Sequence, residues 1–239
     1  LLVLGQTAAV CGTVTSPDTD YANWSSAWPL AADALPALLQ RPVLAQDVAI
    51  AGICARQNLL DLLRNFVVFS PLAQPATVQL QRQLAWCSQF TLVNRALQRC
   101  RLASGPEMWA TASWDASVFG GVLCVPPGGG QSLIFGWLAL KLRRDRQADH
   151  PTLLLLTDRS SLTAQLRQLF AHGGLPHPVS ADDSQHLLQL LVGPGGQTLV
   201  ATVQQLRALQ QAQALGSKLP ASAPVSPRLR EELALESLD

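Results

Sequence analysis

Val118-Phe119-Gly120-Gly121-Val122-Leu123-Cys124-Val125-Pro126-Pro127-Gly128-Gly129-Gly130-Gln131-Ser132-Leu133 is the stretch that decides the fold. Its first seven residues are apolar or glycine and read as a strand. A proline/glycine turn follows, and Ser132 to Arg144, apolar with a basic end, reads as a helix. Strand, glycine loop and helix form the setting in which backbone N–H groups close round a phosphate, with the helix N-terminus adding positive potential. The strict pattern G-x-x-x-x-G-K-[ST] is met only at Gly130 and Ser132. Val125 replaces its first Gly and Gln131 its Lys. On the loop alone, a plain strand-to-helix turn is the simpler reading.

Downstream, strand and helix keep alternating. Thr152–Leu156 reads as a strand and 160–171 as a helix lined by Leu162, Leu166 and Leu169. Helix 184–191, strand Thr198–Thr202 and helix 203–213 follow. Apolar strands alternating with helices predict an α/β fold with a parallel sheet of 118–124, 152–156 and 198–202, covered on both faces. Upstream, a helix is expected over about 79–102, with Trp86, Phe90, Val93, Leu97 and Cys100 on one stripe. Helices are also expected at 31–39 and 55–66, the second with a wide apolar face of Leu59, Leu60, Leu62, Leu63 and Phe66. Residues 1–30 read as short strands, Leu1–Leu4 and Thr13–Thr15, with a turn at Ser16-Pro17-Asp18 and Trp24 and Trp28 capping a small core. Pro71 and Pro75 set a boundary near residue 75, and a Pro/Ser/Ala-rich tail starts at Gly216.

The 239 residues are 48% apolar, enough for a real core, and only 14% charged. A net charge of +1 gives no whole-surface pull on nucleic acid or anionic lipid, so such binding needs local patches. Five cysteines in no C-x-x-C pair argue against a disulfide framework or zinc ribbon and for buried free thiols. No apolar run reaches the roughly 18 residues needed to cross a bilayer, and no signal peptide is visible. A cytoplasmic chain is expected, and the missing initial Met suggests a fragment. His172 and His177 lack the spacing and acidic support of a metal site.

Asn58-Leu59-Leu60-Asp61-Leu62-Leu63-Arg64-Asn65-Phe66-Val67-Val68-Phe69 resembles the NLLDLIRNFIVF-type junction of the motor (R) subunit of type I restriction enzymes. Further blocks follow in the family's order. Gln89-Phe90 with Val93-Asn94-Arg95-Ala96 is similar to its Q-Y/F-x-x-V-N-K-A helix. Gly120–Leu123 and the loop resemble GGVIWHTxGSGKSL, and Lys141-Leu142-Arg143-Arg144-Asp145 resembles KLRRD. Thr157-Asp158-Arg159 with Leu162, Gln165 and Leu166 matches TDRxxLxxQL, and Thr202-Val203-Gln204 matches TxQ. Leu1–Val14 and Trp28 resemble LVISDGxxARxGT…W, with Gly5-Gln6-Thr7 in place of Ser-Asp-Gly.

The resemblance implies a RecA-like P-loop NTPase lobe preceded by the α+β end of a nuclease domain. Residues 1–75 would be the end of the nuclease domain and junction helices, 76–215 the first motor lobe, incomplete, and 216–239 an irregular tail. It implies ATP and Mg²⁺ as cofactors, and duplex DNA with the modification and specificity subunits as partners. Gln89 would read adenine, Gly128, Gly129, Gly130, Gln131 and Ser132 would hold phosphates, and Ser132 would ligate the metal. Asp158, Arg159, Thr202 and Gln204 would face DNA. No nuclease carboxylate motif or DEAH string is found.

Other readings stay open. Gln131 donates a hydrogen bond but carries no charge, so hydrolysis is crippled, or the chain is a decayed, non-enzymatic remnant that only folds or binds a partner subunit. Gln89 could equally be a solvated residue on a Gln-rich helix. Asp158 and Arg159 could be a loop-fixing ion pair. The cluster Lys141, Arg143, Arg144 and Arg146 reads first as a solvated helix end complementing the helix dipole.

Overall fold

The computed structural model describes residues 2–13, 21–31, 33–71, 80–103, 120–145, 150–172 and 177–214. The expected turn at Ser16–Asp18, Arg146 and the tail lie outside them. The chain opens with an antiparallel sheet of β1 (Leu2–Leu4), β2 (Ala9–Cys11) and β3 (Ala22–Asn23). Ala9–Cys11, a strand not anticipated, registers against Leu2–Leu4 across the turn closed by Gly5 N–H donating to Ala8 O. Of the strand expected at Thr13–Thr15, Val14 and Thr15 lie outside the described residues. Helices α1 (Ala34–Leu39) and α2 (Ala45–Ala49) follow, then a π-helical turn, Ile50–Cys54, and α3 (Arg56–Asn65).

The hydrophobic face of α3 is narrower than its sequence suggests. Asn58 and Leu62 are buried, whereas Leu59, Leu60 and Leu63 are exposed. Asn58 is anchored inside by donating from Nδ2 to Trp28 O and Gly52 O.

β4 (Val67–Pro71) and β5 (Leu80–Leu84) pair antiparallel, Val67 opposite Leu84 and Phe69 opposite Arg82. Helix was expected at 79–86. Tertiary pairing with the Val-Val-Phe strand overrides the helical preference of Gln and Arg there. The helix, α4 (Cys87–Ala103), begins after Trp86. Gln89, its third residue, accepts from the Trp86 N–H, the return half of a capping box. The stripe holds from Phe90 onward, with Phe90, Val93 and Leu97 buried, while Trp86 stands outside the helix, partly exposed.

α5 (Gln131–Arg144) packs on α4 and bridges two cores. Its Ile134 and Trp137 join the larger one, with Trp24, Phe66 and Phe90, and its Ala139 joins Leu166 and Phe170. Trp24, expected with Trp28 to cap a small core, is instead buried within the larger core, with Trp28 partly buried against it. β6 (Leu153–Thr157), α6 (Ser160–His172), β7 (Val179–Ser180), α7 (Ser184–Val192), β8 (Thr198–Thr202) and α8 (Val203–Ala214) complete the described chain. On α6 the buried pair is Leu166 and Phe170, with Leu162 exposed.

β6, β8 and β7 form a parallel sheet in that order, Leu153 opposite Thr198 and Val179 opposite Leu199. Two of the three expected sheet strands are thus in place, and the α/β class holds. The third is not. Residues 120–124 carry no strand, and Val122 is 87% exposed. An apolar run becomes a strand only when a neighbour completes its ladder, and among the described residues β6 pairs with β8 alone.

Candidate functional site

The glycine loop is built from its own residue chemistry. Gly129 N–H donates to Pro126 O at 2.9 Å, closing a turn with Pro127 and Gly128 at its centre. Gly128 sits at φ +78°, as the third residue of a type II turn requires. Gly130, at φ +75°, caps the N-terminus of α5, and its carbonyl accepts the first helical bond from Ile134 N–H at 3.1 Å. The backbone N–H groups of Gln131, Ser132 and Leu133 precede that bond and face the anion-favouring end of a 14-residue helix.

Gln89 meets this loop. Its Nε2 donates to Gly129 O at 2.9 Å across 40 residues of sequence, while its Oε1 holds the Trp86 N–H. The side chain is 4% exposed, so the solvated alternative is overturned. A Cβ on Gly130 would lie 2.5 Å from Gln89 Nε2, which requires glycine twice over, for space and for φ. Gly12, Gln83, Leu84, Trp86, Gln89, Gly128, Gly130 and Leu133 line a cavity of about 140 Å³. That is smaller than the roughly 300 Å³ of a whole-ligand pocket and suits one ring of a ligand. Gln131 is exposed, and neither its amide nor the Ser132 hydroxyl has a hydrogen-bond partner among the described residues.

The other predicted residues gather at the C-terminal ends of β6 and β8. Asp158 and Arg159 form an exposed ion pair at 3.6 Å, and Gln204 Nε2 donates to Asp158 O at 3.3 Å. Thr202 is held by Gln205, whose Oε1 accepts from Thr202 N–H at 2.7 Å and whose Nε2 donates to Ala181 O at 2.8 Å. Sequence reasoning missed Gln205. Its signal was only its place three residues past the strand-ending Thr202. Among the described residues, no hydrogen bond joins this group to the glycine loop.

Lys141 is a correction to the solvated helix end. It is 8% exposed, donates to Asp61 Oδ2 at 2.6 Å and to Asn94 Oδ1, and lies 5.1 Å from the centre of the Phe66 ring. Burial pushes its ammonium below the usual lysine value, and the neighbouring Asp61 opposes that shift. Arg144 donates to Arg64 O at 2.9 Å and to Asn65 Oδ1 at 2.6 Å, and Arg143 to Thr198 Oγ1 at 3.1 Å. All five cysteines are free, but only Cys87 is buried, while Cys54 and Cys124 are exposed. No helix among the described residues is long and apolar enough to cross a membrane.

A glycine loop capping a helix, a glutamine hydrogen-bonded to it and a parallel sheet define an ATPase-like α/β unit. The SWI2/SNF2 ATPase family model matches residues 88–229, more than half of the chain, and the protein belongs to that family. It is similar to the type I restriction enzyme HindI endonuclease subunit of Haemophilus influenzae, 30% identical over 144 residues, which are 59% of this chain and 12% of that one. The putative type I restriction enzyme MjaIXP endonuclease subunit of Methanocaldococcus jannaschii is 22% identical over 163 residues, 68% of this chain and 14% of its own. The chain therefore spans about one eighth of the length of these relatives. The resemblance read from the sequence blocks is borne out.

Proposed function

We propose that this chain is part of the DNA-translocating endonuclease subunit of a type I restriction enzyme and carries a nucleotide-binding loop with weakened hydrolysis. The observation that carries the reading is the hydrogen bond from Gln89 to Gly129, which ties the amide to the loop beside its ring-sized cavity and leaves a second N–H and a second oxygen lone pair for a ligand. Residues 1–75 would close the nuclease domain, 76–215 build the first motor lobe and 216–239 form the tail. In this reading Gln89 faces adenine, and 128–132 hold phosphates through backbone N–H groups. Ser132 offers a hydroxyl to magnesium, which supplies charge neutralisation when bound. Asp158, Arg159, Thr202 and Gln204 would face duplex DNA, the modification and specificity subunits would be the partners, and the cytoplasm the compartment. Gln131 would leave transition-state charge uncompensated, because an amide cannot replace an ammonium.

The test is calorimetric titration of Mg-ATP into the wild type, Gln131→Lys and the Gln131→Lys/Gly130→Val variant. A lysine adds a charge-assisted contact worth about 1.5–3 kcal/mol, about one to two decades in Kd. Exposure at position 131 favours the lower figure. Gly130→Val removes the gain by straining φ and displacing Gln89. The exposed, unpartnered Gln131 also favours a second reading, a non-enzymatic remnant. No heat from any of the three folded proteins would establish that remnant and overturn the nucleotide reading.

A further inference from the structure

A second, larger cavity lies away from the glycine loop. It is a cleft of about 760 Å³ between α3, α4 and α5, walled by Trp28 and Pro29. Its size falls in the range of about 300–1,000 Å³ typical of small-molecule sites. Three separated sequence blocks meet there, and their charges do not cancel. Asp61 is taken by Lys141 at 2.6 Å and Asp145 by Arg101 at 2.6 Å. Arg64 and Arg144 remain. Among the described residues Arg64 has no side-chain partner, and Arg144 bonds only uncharged oxygens, Arg64 O and Asn65 Oδ1. Two guanidiniums without a carboxylate thus flank a cleft whose acids are already neutralised, beside the half-buried ring of Trp28.

We propose that this cleft binds a phosphate ester of nucleotide size, with Arg64 and Arg144 holding the phosphate and Trp28 stacking on the base. Guanidinium forks match phosphate oxygens bidentately, and aromatic faces accept any base. The ester is either a free nucleotide or one unit of a single-stranded polynucleotide. A fixed acidic peptide would need no aromatic wall, which disfavours it.

The test uses the full chain and two probes, fluorescein-labelled oligothymidylate followed by anisotropy and thymidine 3′,5′-bisphosphate as competitor. Binding is expected to weaken tenfold or more in Arg64→Ala/Arg144→Ala. The slope of log affinity against log salt should fall by about 1.4, two contacts at about 0.7 each for a single strand. Competition by the bisphosphate assigns the site to a free nucleotide; binding of the oligomer alone assigns it to a polynucleotide. Because Arg144 also braces α3, Arg64→Glu alone serves as the variant that leaves the fold untouched, and it should show the same tenfold loss. Failure of both probes to bind, variant affinities within twofold of wild type, or tighter displacement by an oligoglutamate peptide than by the bisphosphate would each overturn the proposal.

Discussion

Around Phe90 the core is made of rings from distant segments: Trp24 at 5.4 Å, Trp28 at 5.9 Å and Phe66 at 4.9 Å, with Trp137 a further 5.7 Å from Phe66. Around β8 it is made of one continuous strand, Thr198 to Ala201, buried on both faces under Leu187 and its neighbours. The first region positions Gln89 through side chains that must find each other across 24 to 71 residues. The second positions Thr202 and Gln204 through strand register. A site hung on side-chain packing is more sensitive to single substitutions than one hung on a ladder of backbone bonds.

Phe90→Ala should therefore have the largest effect. Emptying a site in contact with three other rings costs about 4 kcal/mol, and α4, with Gln89, should loosen with it. Leu199→Ala, fully buried in the sheet, should cost about 3 kcal/mol and leave the Gln89 contact intact. Urea unfolding gives the first quantity, and hydrogen exchange at Trp86 N–H the second. Equal loss of protection in both variants would erase the contrast.

Lys141→Met comes next. Removing one partner of a buried pair leaves the other uncompensated, at about 3 kcal/mol, the low end of the usual range because Asp61 keeps some solvent access. Lys141→Met/Asp61→Leu should recover most of it, since replacing both charges removes the orphan. A double variant no more stable than the single one would mean that shape, not charge, matters there.

Gln89→Ala removes a donor and an acceptor, leaving Trp86 N–H and Gly129 O unmet, at about 1–2 kcal/mol. Gln205→Ala should cost about 1 kcal/mol, although its bonds are as short, because that end of the sheet is open to water. Similar losses in the two variants, read from urea midpoints, would show that burial is not what separates the regions.

The sheet region was the legible one. Leu153–Leu156 and Leu199–Ala201 announce strands because each is uninterrupted and apolar, and helices of period 3.6 separate them. The same rule misread 120–124, where no described residue supplies the second strand of a ladder. In the first region the blocks around Asp61, Asn94 and Lys141 were visible, yet their meeting was not. Nothing in a basic helix end says that its lysine turns inward, since that depends on where α3 and α4 lie. Gln89 was found through a resemblance, and its burial came only with the structure.

The smallest effect concerns a surface pair in the first region, which sets a lower bound for what charge contributes there. Arg41 forks onto Asp47 with two 2.8 Å bonds, and Leu44 N–H donates to the same carboxylate at 2.9 Å. The Arg41 guanidinium, above all, holds the Asp47 carboxyl below its usual range. A carboxyl whose folded pKa lies below its unfolded value stabilises the fold above the unfolded pKa, and that contribution disappears as pH falls through the folded one. Asp47→Asn should thus leave the acid limb slightly flatter than wild type below about pH 4 and unchanged in shape near neutrality. Thermal melts across that limb, with Lys141→Met as the reference for a buried pair, provide the comparison. An acid limb in Asp47→Asn identical to wild type would reduce the pair to a contact without energetic weight, as many exposed ion pairs are.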